Sequence, residues 1–343
     1  MKMKRLSVLF VILAMLVFTM TACSNSAPAA QGTNKPSASS DAGKKEEYAV
    51  IMSLHQLEFF DALKAGVNDA AKDLGADWYY AGPQELSPEK VVEAIEQAVA
   101  KKVTGIILHG QFAETGAAID NAIDAGVPVI IVNTDIESKR LSFLGCEPYN
   151  VGFEMGETVA KLIGGKGKVI TSTALGSGQP SSLANQKGCE DALAKYPDIE
   201  IVAKVDDKAD SGIAAAQIGA ALQANPDVAG IVGMQAPSGV GAATAVREAG
   251  LSGKVQIVAR DRDSATLELI EDGEISASFA QNSYVEGYIA TKWLHDYANG
   301  NLKVIQDYIG GGVNPLPTKV DSGSIIITKD NVEQFKAKYV YDK

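Results

Sequence analysis

The sequence predicts an α/β protein made of two doubly wound parallel-sheet lobes. Short apolar runs alternate with helix-patterned segments, and the alternation restarts about halfway along the chain. The runs GIIL, VPVIIV and VQIVA are apolar without interruption, as strands buried on both faces must be. A chain of 343 residues also has the length of about two domains.

The elements follow in order. Tyr48–Leu54 (YAVIMSL) is a buried strand. Phe59–Leu74 is a helix, because Phe60, Leu63, Val67, Ala70, Ala71 and Leu74 recur at helical spacing. After the strand Asp77–Tyr80, Ser87-Pro88-Glu89 opens a helix with a cap residue, a first-turn proline and an acid. Val91, Ile95, Ala98 and Val99 form its inner face. A strand Gly105–Leu108, a helix Ala113–Ala125, a strand Val127–Val132 and a helix Asn150–Ile163 complete the first series. In the second, Lys168–Thr173, Glu200–Val205, Ala229–Gly233, Val255–Ala259 and Ala277–Ala280 are strands. The helices between them are Ser182–Tyr196, Gly212–Ala224, Val240–Ala249 and Ala265–Asp272.

Composition narrows the function. With 46% hydrophobic residues the chain is no disordered polymer. Met1–Ala22 holds three basic residues and no acid, so the remainder sets 28 basic against 42 acidic side chains, a formal −14. Phosphate backbones repel such a body, and no nucleic-acid partner is expected. Three cysteines make no disulfide scaffold. His55, His109 and His295 lack an i, i+4 partner or a CxxC, so no metal site is expected.

The leading segment is an address. Lys2, Lys4 and Arg5 precede an apolar run, Leu6–Met20, too short to span a bilayer and closed by Thr21-Ala22-Cys23. The small residues before Cys23 resemble the lipobox of bacterial lipoproteins, with Met20 in the slot usually held by Leu. The resemblance implies a signal peptide over residues 1–22 and lipidation of Cys23, which anchors the protein outside the cytoplasm; a plain secreted protein with an incidental cysteine is the alternative. Ser24–Lys45 contains no Val, Ile, Leu or aromatic residue, so residues 23–46 read as a flexible tether. Its root-mean-square span is roughly 25 Å.

Ligands of open parallel sheets bind beyond the carboxyl ends of the strands. In the first series those exits carry Ser53–Phe60, His109 and Asn133-Thr134-Asp135; in the second they carry Ser172–Ser182, Gln235, Asp261 and Gln281. The polar residues cluster there. His109 can be a ligand contact or a structural donor.

The segments SLHQLEFFDALKAGV, GVPVIIVNTDI, FLGCEPYNVG, LQANPDVAGIVG, VQIVARD and ISASFAQNSYVEGY, in this order, resemble the type I periplasmic-binding-protein family, specifically its sugar-binding branch that includes ribose-binding protein. The resemblance runs from Tyr48 to about Phe335. It implies two lobes joined by a three-crossover hinge, with the crossovers near Glu147–Asn150, Gln281–Ser283 and Val320–Ser324. The first lobe would comprise residues 47–147 with 282–320, and the second residues 148–281 with 321–343. Position by position, Phe59 and Phe60 match the aromatic pair that packs on sugar C–H faces, with helix-face packing the alternative for one of them. Asn133 takes a slot where many relatives have Asp, and Asp135 follows two residues on. Asp261 matches an acid that accepts from two neighbouring hydroxyls, and Gln235 and Gln281 match an amide pair. Leu57, Leu183, Asn185 and Ala209 depart from the ribose-binding pattern.

The implied function is capture of a small sugar-like ligand for an import permease of the ABC type. The same fold could instead present a sugar or sugar-like signal to a sensor kinase or chemoreceptor. An enzyme is not expected, nor a cofactor: there is no G-x-x-x-x-G-K-[ST] and no G-x-S-x-G, and no carboxylate pair stands out for acid–base work. Arg260 and Arg262 bracket Asp261, and either a salt link to it or a solvated position suits them. Cys146 and Cys189 read as two buried thiols or as a bridge between the lobes.

Overall fold

The computed structural model describes residues 45–339 and 341. The expected signal peptide over residues 1–22, and Cys23 with the expected tether up to residue 44, lie outside the described residues. The first lobe contains β1 (Glu47–Ile51), α1 (Asp61–Leu74), β2 (Asp77–Ala81), α2 (Pro88–Lys101), β3 (Gly105–His109), α3 (Gly116–Asp124), β4 (Val129–Val132) and β5 (Ser142–Gly145). The chain then enters the second lobe through α4 (Pro148–Leu162), β6 (Lys166–Thr173), α5 (Pro180–Leu193), β7 (Asp198–Asp206) and α6 (Ser211–Ala224). That lobe continues with β8 (Val228–Gly233), α7 (Ala236–Glu248), β9 (Gln256–Arg260), α8 (Ser264–Glu271) and β10 (Ala277–Gln281). Next, α9 (Ser283–Ala298) returns to pack on α1 and the first sheet, which β11 (Lys319–Asp321) completes. Finally β12 (Ser324–Ile327) joins the second sheet.

The first sheet runs β2-β1-β3-β4-β5-β11 with every pairing parallel. The second runs β7-β6-β8-β9-β10-β12, parallel except where β12 lies antiparallel to β10. The uninterrupted apolar runs are explained by helices on both faces. In β4, Val129 and Ile131 join one core while Ile130 and Val132 join the core on the opposite face. Each such fully buried side chain contributes about 1.5–3 kcal/mol. The second sheet likewise separates two cores, with Ile257 and Ala259 on one face and Val258 on the other.

Local signals place several helix starts. Ser87 caps α2 by accepting from the Lys90 amide at 3.2 Å, and Pro88 follows it. α7 begins at Ala236, four residues earlier than its apolar pattern, because Pro237 suits a first helical turn. Four elements escaped the periodicity. β5, β11 and β12 have three or four residues, too few to display a period. α9 is buried from several sides, and its tyrosines and Trp293 blur the stripe. α1 and α9 approach so closely that a Cβ on Gly66 would lie 2.0 Å from the Tyr284 carbonyl oxygen.

The first and third passages between the sheets are stitched together. Ser322 N–H donates to the Gly145 carbonyl at 2.9 Å, and Cys146 Sγ–H to the Gly323 carbonyl at 2.9 Å. Asp321 accepts from the Glu147 amide at 3.2 Å and from Asn150 Nδ2 at 2.8 Å. Cys146 and Cys189 are free, buried thiols, not a bridge, and burial pushes the Cys189 thiol up to about 12.

Candidate ligand-binding site

A crevice of about 1060 Å³ opens where the two lobes face each other. The first lobe contributes His55–Phe59, Asp61 and Lys64; the second contributes Ala236, Asp261–Ser264 and Leu267. Ala280, Gln281 and Ser283 line it at the second crossover, and Phe335 with Lys336–Tyr339 closes one side. Of the residues expected from sequence, Phe59, Asp261 and Gln281 line this space directly.

The first-lobe residues form one connected group. Phe59 and Phe60 lie in a short 3-10 turn, Glu58–Phe60, that ends the connection from β1 and leads into α1. Phe60 is 1% exposed and belongs to the core, whereas Phe59 faces the crevice. The Phe60 ring meets the His109 imidazole edge-on, with centroids 5.0 Å apart. His109 is held at both ring nitrogens, by Ser53 Oγ at 2.8 Å on Nδ1 and by Asn133 Oδ1 at 3.0 Å on Nε2. Since a carboxamide oxygen only accepts, Nε2 carries the proton and Nδ1 accepts from Ser53. Burial lowers the His109 pKa to about 4, so the ring is neutral. Gly110 permits the turn beyond it, because a Cβ there would lie 2.0 Å from the Thr134 carbonyl oxygen.

Asn133 Oδ1 accepts a second bond, from Thr134 Oγ1 at 3.0 Å. With its oxygen doubly engaged, Asn133 has its NH2 group to offer a ligand. Its backbone is left-handed, φ 68°, and so is that of Asp261, φ 69°. Asn and Asp are the side chains that best tolerate this region, and such strained positions cluster at ligand sites. Both follow the fourth strand of their series, β4 and β9. Asp261 is pinned by its amide to the Phe279 carbonyl at 3.0 Å and by Ser278 Oγ on its own carbonyl at 2.5 Å. Its side chain is a quarter exposed. Burial pushes this carboxyl above the usual range, against the pull of Arg260, whose Nε lies 3.7 Å from Oδ1. Arg262, which also lines the crevice, donates to Tyr339 Oη at 3.0 Å.

Gln235 follows β8, and its Nε2 donates to Ser182 Oγ at 3.1 Å, which leaves Oε1 as its acceptor. Gln281 ends β10 and donates through Nε2 to the two oxygens of Glu286, at 2.9 and 3.1 Å. Asp135 stands apart from this group. Both its oxygens are held by Arg140, with Nε at 2.6 Å from Oδ1, and Arg140 also reaches the Thr318 carbonyl. Sequence reasoning missed Glu286, which is fully buried. Burial raises its pKa to about 7, opposed by bonds from Ser322 and Gln281. A charged residue inside the α9 pattern was the signal that could have found it. Among the groups facing or adjoining the crevice are carboxamides, the Asp261 carboxyl group and the Phe59 ring, a set suited to hydroxyls that both donate and accept.

A family model described as a periplasmic binding protein domain matches residues 48–302, and the chain belongs to the periplasmic binding protein family. It is 26% identical over 273 residues to the D-allose-binding periplasmic protein of Escherichia coli strain K12, covering 76% of this chain and 86% of that one. A sugar-binding protein of a sugar ABC transporter from Bacillus halodurans is similar in structure, with a TM-score of 0.80 and 30% identity over 85% of this chain and 100% of its own. AraP, an arabinose binding protein from Geobacillus stearothermophilus, also gives a TM-score of 0.80, at 28% identity over 86% of this chain and 100% of its own.

Proposed function

We propose that this protein is an extracytoplasmic solute-binding lipoprotein that captures a small polyhydroxylated ligand, a sugar, and delivers it to an ABC import permease. The carrying observation is the pair of left-handed exits, Asn133 and Asp261, which bring an amide donor and a carboxylate acceptor to corresponding strand ends of the two lobes. The family, and relatives named for D-allose and arabinose binding, support the same reading. Phe59 supplies an apolar floor for the C–H face of a sugar ring, and Asp261, Asn133, Gln235 and Gln281 meet its hydroxyls. His109 acts through Asn133 by holding the amide, and Asp135 acts at one remove, bracing the Asn133 loop through Arg140.

Residues 47–147 with 282–320 act as one lobe and residues 148–281 with 321–339 as the other. A ligand touching both favours the closed arrangement, because only there are all its contacts made. Cys23, lipidated after removal of residues 1–22, tethers the body to the membrane beside its permease. Calorimetry of the full chain against D-ribose, D-allose, D-arabinose, D-xylose and D-galactose tests the reading. Saturable binding of at least one sugar is expected, and no heat from any of them together with no co-purifying sugar by mass spectrometry would sink it. Incorporation of labelled fatty acid that disappears in Cys23→Ser tests the anchor.

A further inference from the structure

Glu286 is a buried ionisable group that the binding site itself does not use. It lies on α9 with no exposed surface, yet three separated parts of the chain converge on its carboxyl group. Ser322, in the third crossover, donates its hydroxyl to Oε1 at 2.6 Å. Gln281, at the second crossover, donates Nε2 to both oxygens. The backbone of Asn133, on the first-lobe side of the site, bonds to it as well. Arg260 from β9 is the positive charge that acts on it, and the Cys146 thiol is its titratable neighbour.

A terminal carboxamide has nearly the same shape either way round, so only its hydrogen-bond partners decide which end faces a ligand. For Gln281 the decision is made by Glu286. Gln281 Nε2 donates to both Glu286 oxygens, one of which also accepts from Ser322, so the NH2 end is turned toward α9, and Oε1 is the end left for the crevice that Gln281 lines. Resting on the sugar-binding reading above, we propose that Glu286 is a positioning residue that locks the Gln281 carboxamide oxygen-first, so that the site demands a hydrogen-bond donor from the ligand at that point. The consequence is selectivity: a hydroxyl is accepted, while an isosteric group that cannot donate is rejected.

Two measurements on the full chain test this. In Glu286→Gln the new side chain is isosteric and offers both a donor and an acceptor, so Gln281 is released to turn over. With the tightest sugar of D-ribose, D-allose, D-arabinose, D-xylose and D-galactose as probe, the substitution should weaken binding roughly tenfold, but less than about twofold in a Gln281→Ala background. The monodeoxyfluoro analogues of that sugar should include one rejected by the parent and tolerated by Glu286→Gln. An equal loss in both backgrounds would show that Glu286 serves folding alone and would overturn the proposal. The second measurement needs no ligand. With 15N-glutamine labelling, the Gln281 side-chain amide, assigned by its loss in Gln281→Ala, should be protected from exchange in the parent and unprotected in Glu286→Gln. An amide indifferent to the substitution overturns the proposal even if sugars bind. If the amide responds and no sugar binds, the positioning stands and the sugar reading fails.

Discussion

The two lobes end corresponding strands with the same backbone device and different chemistry. Each ends its fourth strand in a left-handed residue, Asn133 after β4 and Asp261 after β9. Around Asn133 the polar groups are already satisfied from within the lobe: Ser53, His109 and Thr134 form a chain that engages the carboxamide oxygen and leaves a neutral donor. Asp261 keeps a carboxyl acceptor, with Arg260 at ion-pair distance, 3.7 Å, rather than in a short hydrogen bond. One side of the site is therefore fixed by short hydrogen bonds before a ligand arrives, and the other keeps a carboxyl group whose neighbouring cation, Arg260, stands at ion-pair distance. A single backbone geometry thus serves donor and acceptor alike, and the side chain placed on it, with its neighbours, decides which.

The largest expected effect lies on the His109 side. A neutral buried imidazole with a pKa near 4, against an ordinary value of 6.5, binds fewer protons folded than unfolded. Stability is then full above about pH 6.5 and falls as pH drops toward 4, by about 2–3 kcal/mol at pH 4.5. Chemical denaturation at pH 7.5 and 4.5 should record that loss, and His109→Gln should flatten most of it; an unchanged pH slope in the variant would show that the imidazole is not the group responsible. Making the first side resemble the second sharpens the contrast. Asn133→Asp puts a carboxylate beside Nε2, favours the imidazolium and should cut the acid loss by about half, with the His109 titration followed by NMR.

Making the second side resemble the first comes next in size. Asp261→Asn keeps a residue that accepts the left-handed backbone but removes the charge, and should weaken sugar binding by about 1.5 kcal/mol, roughly tenfold, by calorimetry. Parent-like affinity would mean that the carboxylate does not touch ligand. Asp261→Ala should cost more, since it adds backbone strain at φ 69° to the lost acceptor. The smallest effect is expected at Asp135→Asn. Its partner is Arg140, so affinity should change less than about twofold, while the melting temperature falls by a few degrees, in line with about 1 kcal/mol for a partly exposed pair. A tenfold loss of affinity would return Asp135 to the ligand.

Much of this was legible in the residues. The runs at β3, β4 and β9 announced strands covered on both faces, and the polar residues beyond them marked the strand ends where the site lies. Short edge strands such as β11 (KVD) carried no such signal, because three residues hold no period. Phe59 and Phe60 were indistinguishable by type, and only the packing of α1 on its sheet turns one to the crevice and the other to the core.

The linear order of side chains by itself determined the two doubly wound halves, since strand burial and helix periodicity are written locally, residue by residue. It also determined which polar groups stand at the strand exits. The tertiary structure decided how each of those groups is presented. Asp135 is taken by Arg140, Asn133 shows its amide nitrogen because His109 holds its oxygen, and Gln281 shows its oxygen because Glu286, itself held by Ser322 of the third crossover, takes its nitrogen end. The physical reason is the directionality of hydrogen bonds: a side chain's chemistry is set by its type, but the face it offers is set by partners that lie far away in sequence and meet it only in the fold.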